Sequence, residues 1–207
     1  MELKLFFDII QALSVIIASI IAYYGISSWR KETMWKRKYE LAEEVLSCFY
    51  EVSENFDTIR NPAGYVGEGK TRKRNENESP EESKILDSAY VVIERFEKVK
   101  APFIKLKSLK YRFMVLFGKE SEKPFNKIIK LTNKLFLASH RLGYKYWKDQ
   151  VRQKFTDEKF DYHLKKMHEQ EAIFWADFGE KEDVFKNDVD EVISEIENIC
   201  QKIIEKK

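Results

Sequence analysis

Residues 9–29 read IIQALSVIIASIIAYYGISSW, 21 consecutive side chains without a formal charge. As a helix rising about 1.5 Å per residue, this stretch spans about 30 Å, the hydrocarbon thickness of a bilayer. Tyr23, Tyr24 and Trp29 gather at its C-terminal end, where an aromatic belt would sit, and Arg30 and Lys31 follow at once. A signal peptide would begin basic, carry a shorter apolar run and end on small residues. Residues 1–8 instead carry Glu2, Lys4 and Asp8, net −1, whereas residues 30–40 hold five basic and two acidic side chains, net +3. That asymmetry predicts an uncleaved single-pass anchor with the N-terminus outside and the C-terminal part in the cytoplasm.

One face of the anchor differs from the rest. Asp8, Gln11, Ser14, Ala18, Ala22 and Gly25 follow helical steps of three and four and form a polar-to-small stripe. The remaining surface is mostly isoleucine and leucine. Small residues let helices approach closely in lipid, and Gln or Ser side chains can bond across the contact. The stripe is therefore a candidate self-association face, and its polar half at Asp8, Gln11 and Ser14 is a candidate pore lining.

Beyond the anchor the chain reads as helix almost throughout. Of its 207 residues, 35% are charged and 14% aromatic, with only 7 Gly and 4 Pro. That is too apolar for a disordered chain and too poor in turn residues for a sandwich or barrel. The mean hydropathy of −0.51 averages over two unlike parts. Residues 30–60 place Leu41, Val45, Cys48 or Phe49, Val52, Phe56 and Ile59 on one face, with glutamates mostly between. This predicts an amphipathic helix continuing the anchor as one rod to the stop at Asn61-Pro62.

Residues 61–79, NPAGYVGEGKTRKRNENES, read as a flexible loop with a short basic run at Lys70, Arg72, Lys73 and Arg74. Accessible positive charge there would suit anionic lipid or a nucleic-acid backbone, and on an unbroken rod it would face a cytosolic partner or a neighbouring subunit. Ser79-Pro80-Glu81-Glu82 is a helix start with a capping box. Apolar periodicity then predicts helices from residue 80 to a break at Pro102, on to Gly118, over about 122–153, from Thr156 to Gly179, and over about 181–205. The fold class is all-α: residues 1–29 as anchor, 30–60 as juxtamembrane helix, 61–79 as loop, and 80–207 as an antiparallel helical bundle.

No catalytic residue and no metal or cofactor site is predicted. His163 and His168 are five apart and do not share a helix face as a zinc pair would, and no Gly-rich phosphate loop or Cys-x-x-Cys is present. An RNA-cleaving Arg-polar-His pattern would place His where Arg60-Asn61 is followed by Tyr65, and a phenol of pKa near 10 moves protons poorly at neutral pH. Arg60 reads as a helix C-terminal residue complementing its own dipole. A net charge of +2 argues against nucleic acid as a partner. Cys48 and Cys200 read as two half-buried thiols in a reducing compartment. The aromatic runs at 142–147 and 174–178 are candidates for core or for a protein–protein contact.

Residues 8–11, 28–31, 39–44 and 60–62 together resemble a broad set of bacterial proteins with one N-terminal membrane helix ending in a Trp-Arg pair and a helical cytosolic domain. The layout is also similar to the membrane accessory protein of type VI CRISPR systems. The resemblance implies a bacterial inner-membrane location, a homo-oligomer among membrane lipid, and, from the second likeness, an oligomeric pore aiding antiviral defence. From its residues, the chain is expected to be a non-enzymatic protein that self-associates and presents a helical interaction domain to a cytosolic protein partner.

Overall fold

The computed structural model describes residues 2–148, 156–177 and 182–205, which form six α-helices. The helices are α1 (Glu2–Arg60), α2 (Pro80–Val99), α3 (Ala101–Phe117), α4 (Lys123–Arg141), α5 (Asp157–Phe174) and α6 (Val184–Ile204). No strand occurs among the described residues.

α1 is one unbroken helix of 59 residues, about 88 Å long at the standard rise. It is long and apolar enough to cross a membrane. Its two halves live in different environments. Leu13, Ile16, Ile17, Ile20 and Ile21 are all exposed, and among the described residues the first buried one is Leu41. From there Val45, Cys48, Phe49, Val52, Phe56 and Ile59 are completely buried or nearly so. The helix thus leaves an apolar, unpacked segment, crosses an exposed connector of residues 30–40, and becomes the central core helix of a bundle.

The neighbours of α1 fix the position of the other helices. Phe56 meets Phe103 edge-on at 5.2 Å, Glu44 pairs with Lys105 at 3.2 Å, and Lys38 lies over the Phe117 ring. α3 therefore returns along α1 and brings Gly118 to the end nearest the exposed connector. α6 flanks the other side through Tyr50–Glu197 and Lys186–Asp57 contacts of 2.7 and 2.9 Å. The pairing of the final helix with the juxtamembrane helix is thus made within one chain. α4 closes the core through Phe125, whose ring meets Phe49 at 5.1 Å.

Local chemistry explains the boundaries. α1 stops at Arg60 because Pro62 cannot continue it. Ser79 caps α2 by accepting the Glu82 amide at 3.1 Å, with Pro80 in the first turn. The Glu82 carboxylate takes Lys148 Nζ at 2.7 Å. Gly118, at φ +92°, ends α3 by donating to the Met114 carbonyl. After Gly118 the regular helices end or begin at other residues than expected. The helix expected over 122–153 keeps α geometry only to Arg141, then opens into a π turn over Leu142–Tyr146. Tight packing accompanies the turn: a Cβ on Gly143 would lie 2.7 Å from Ala89 Cβ, so α2 and this turn meet almost backbone to backbone. The end of that expected helix and the stop at Gly179 lie outside the described residues. α5 ends at Phe174, where Trp175 turns extended, and α6 is capped by Asp183, which accepts the Lys186 amide at 3.0 Å.

Candidate functional site

Two regions carry the residues singled out in the sequence. On the apolar half of α1, Asp8, Gln11, Ser14, Ala18, Ala22 and Gly25 are all exposed, as are Tyr23, Tyr24, Trp29, Arg30 and Lys31. Ser14 Oγ donates to its own helix at the Ile10 carbonyl, 2.8 Å away. That hydroxyl is satisfied locally and does not need a neighbouring helix. A Cβ added to Gly25 would meet nothing within 4 Å.

The second region is the far end of the bundle, where the loop of residues 61–79 sits. Because α1 runs without interruption from Trp29 to Arg60, 31 residues separate them, about 46 Å at the standard rise. The basic run is thus distant from any bilayer around residues 9–29. It is also not a free positive patch. Arg72 is almost completely buried and pairs with Glu78 and with Asp87 at 3.2 Å, and Arg74 pairs with Asp87 at 2.6 Å. Lys70 and Lys73 are left outside these pairs. A carboxylate on α2 and one within the loop pair with Arg72 and Arg74, while Lys70, Lys73 and Arg74 remain exposed.

Two buried arginines organise this end, and both serve helix termini. Arg95 of α2 donates to the Ile59, Asn61 and Ala63 carbonyls at 3.2, 2.5 and 2.9 Å, which are the open acceptors where α1 ends. It also pairs with Glu68 at 2.6 Å. Hydrogen bonds from Arg95 hold the Glu68 carboxyl below the usual carboxylate range. Arg60 does not act on its own helix, as the sequence suggested. It donates to Ala172, Ile173 and Trp175 carbonyls at the end of α5, at 2.7–3.0 Å. It also forms a two-pronged pair with Asp183, both contacts 3.0 Å. One residue thereby joins the ends of α1 and α5 to the start of α6. The guanidinium also lies 4.4 Å from the Phe185 ring.

The loop closes over α2 through Glu94, whose Oε2 accepts the Gly69 amide and the Thr71 hydroxyl, both at 2.8 Å. Burial alone would raise the Glu94 pKa, but bonds from Thr71, Lys98 and Gly69 hold it below the usual value. Gly69 has φ +80°, and a Cβ there would land on the Asp87 carbonyl oxygen. Only glycine allows that approach. The Arg72 hydrogen bond and the Asn75 amide bring the Glu78 carboxyl down to about 2.

The sequence reading missed Arg95, Glu94 and Asp183. No local signal marked the α2 pair: Glu94 and Arg95 fall between the apolar positions Ile93 and Phe96, where a helix ordinarily carries a solvated polar face. The histidines do not converge on one site. His163 Nε2 sits 3.2 Å from the Tyr146 carbonyl, His140 stacks on Tyr144, and His168 contacts Glu171. Among the described residues no three His, Cys, Asp or Glu side chains form a metal-binding group. Of the aromatic runs, Tyr146 and Phe174 are buried and Trp147 Nε1 donates to Glu171 at 2.8 Å, so their described part is mostly core, while Phe178 lies outside the described residues.

No family model, curated protein or solved structure matches this chain.

Proposed function

We propose that this is a single-pass membrane protein that self-associates and holds an antiparallel helical bundle at a set distance from the inner face of a bacterial inner membrane, as a non-enzymatic platform for a cytosolic protein partner. One observation carries the reading. The apolar half of α1 is exposed along its length, yet after Leu41 the same helix lays one fully buried apolar face into the bundle. A soluble core helix would bury its apolar residues, and leaving about twenty of them in water would be strongly unfavourable. The basic connector with Arg30, Lys31, Lys36, Arg37 and Lys38 supports a cytoplasmic bundle.

A reporter fused after Lys207 tests the topology. Cytoplasmic fluorescence together with retention in the membrane pellet after alkaline washing is expected. Periplasmic phosphatase activity of the same fusion would overturn the orientation. Expression that leaves the membrane potential unchanged is expected of a tether, and depolarisation would favour the pore lined by Asp8, Gln11 and Ser14.

A further inference from the structure

The charges of the bundle are segregated in a way that the near-zero total conceals. Between residues 41 and 59, α1 carries Glu43, Glu44, Glu51, Glu54 and Asp57 and no basic residue. α3 and α4 carry nine Lys and Arg and no Asp or Glu. Some of these charges are used inside the chain. Glu44 takes Lys105, Asp57 takes Lys186, and on one flank of α4 Lys127 and Lys134 take Glu191, Glu195 and Asp188 of α6. What remains faces outward: Glu43, Glu51 and Glu54 on α1, and Lys107 and Lys130 on α3 and α4, are exposed.

The basic side also has apolar surface. Ile104, Tyr111, Val115 and Ile129 are exposed on it, Val115 to 82%. Between α3 and α4 runs a groove of about 240 Å³ whose walls include Phe103, Ile104, Phe125 and Ile129, with Lys107 at its rim. The acidic side presents the half-exposed ring of Tyr50 beside Glu51 and Glu54.

We propose that the acidic outer face of α1 in one copy docks on the α3–α4 groove of a second copy in the same membrane. The proposal rests on the tethered reading, because the membrane sets both faces at one depth. Glu43, Glu51 and Glu54 lie 14, 22 and 25 residues beyond Trp29, about 21–38 Å along α1. The basic face lies at the same level: Lys105 contacts Glu44, the Pro102 carbonyl accepts from Cys48 Sγ at 3.3 Å, and Phe125 meets Phe49. Two copies with parallel anchors therefore bring opposite charges to the same height without tilting. Confinement to one membrane raises their effective concentration. Pairing like faces would oppose like charges, so the contact is heterologous and repeats from copy to copy, as a ring or a row.

Cysteine cross-linking of the full chain in native membranes tests this. Cys48 and Cys200 are buried, with thiols pushed up to about 11 and about 12 by burial, so they give little background. Two differently tagged variants, Glu51→Cys and Lys107→Cys, are co-expressed and treated with a short bis-maleimide. A heterotypic dimer is expected, with about tenfold less dimer from either variant alone. Adding Lys130→Glu to the second variant should lower the yield about tenfold, and adding Glu54→Lys to the first should restore it. Pelleted chain without the heterotypic adduct, Glu51→Cys dimers of equal yield, or indifference to charge reversal would each overturn the interface. Capture of an acidic protein in place of a second copy would do the same. Chain recovered in the alkaline supernatant would instead overturn the tether, and the common depth with it.

Discussion

Arg60 concentrates more of the bundle's connectivity than any position its local sequence context would single out. Its side chain is 1% exposed and satisfies three carbonyls and a carboxylate. Removing it leaves the Asp183 carboxylate without its charge partner, with only the Lys186 and Asp177 amides to bond it, and the end of α5 open. Arg60→Ala should therefore destabilise the bundle by about 3–5 kcal/mol, read as a shifted denaturation midpoint of the detergent-solubilised chain. Arg60→Lys should recover little of this, because one ammonium cannot reach the same forked set of acceptors. The carboxylates at this end make a second expectation. Glu68, Glu78, Glu94 and Asp183 all ionise more readily when folded than their usual values. Depressed folded values contribute stability that is fully present above the ordinary carboxylate range and is lost as pH falls through it. For Glu78 that window runs from 4.5 down to about 2. Thermal melts between pH 7 and 2 should hold steady to about pH 5 and then fall. A transition temperature unchanged at pH 3 would contradict the assignment.

The loop of residues 61–79 looks, by composition, like a mobile basic segment, and its chemistry is that of a strap. Gly69 lies against the α2 backbone, Glu94 holds two of its donors, and Arg72 is fastened between Glu78 and Asp87. Its charges consequently divide by role. Neutralising Lys70 and Lys73 together should change stability by less than about 0.5 kcal/mol. Arg72→Ala should lower stability more than that, because it removes the charge partner of Glu78 and one of the two arginines on Asp87. Equal effects from the two variants would show that the strap is not held by Arg72. If residues 9–29 lie in the bilayer, as proposed, neither variant should alter binding to anionic lipid, given the length of α1 beyond Trp29.

The molecule as a whole joins an exposed apolar segment to a packed bundle through one helix. Its bundle core draws on α1 only from Leu41 onward, so the apolar half and the bundle are separable in one direction. Deleting residues 2–33 should leave a water-soluble, helical, cooperatively melting protein. Deleting residues 2–60 removes the central core helix together with Arg60, and should yield an aggregated or unfolded chain. Circular dichroism and size-exclusion chromatography check both. A bundle that survives the longer deletion would mean that α2–α6 hold their own core.

Periodicity and charge were enough to determine the all-helical class, the apolar segment with its basic flank, the continuous rod to Arg60, and the capped start at Ser79. Each depends on neighbours within one or two helical turns, which the sequence displays directly. The sequence could not show which face of the bundle each charge would meet. Glu44 with Lys105, Arg60 with Asp183 and Arg95 with the end of α1 are contacts across 32–123 residues, made only once the helices pack. The same holds for the π turn at Gly143, which accompanies the close approach of α2, and for the strap, whose partners Asp87 and Glu94 lie on α2. The segregation of charge between α1 and the α3–α4 face is likewise hidden in a net charge of +2, because summing along a chain discards direction and only tertiary packing restores it.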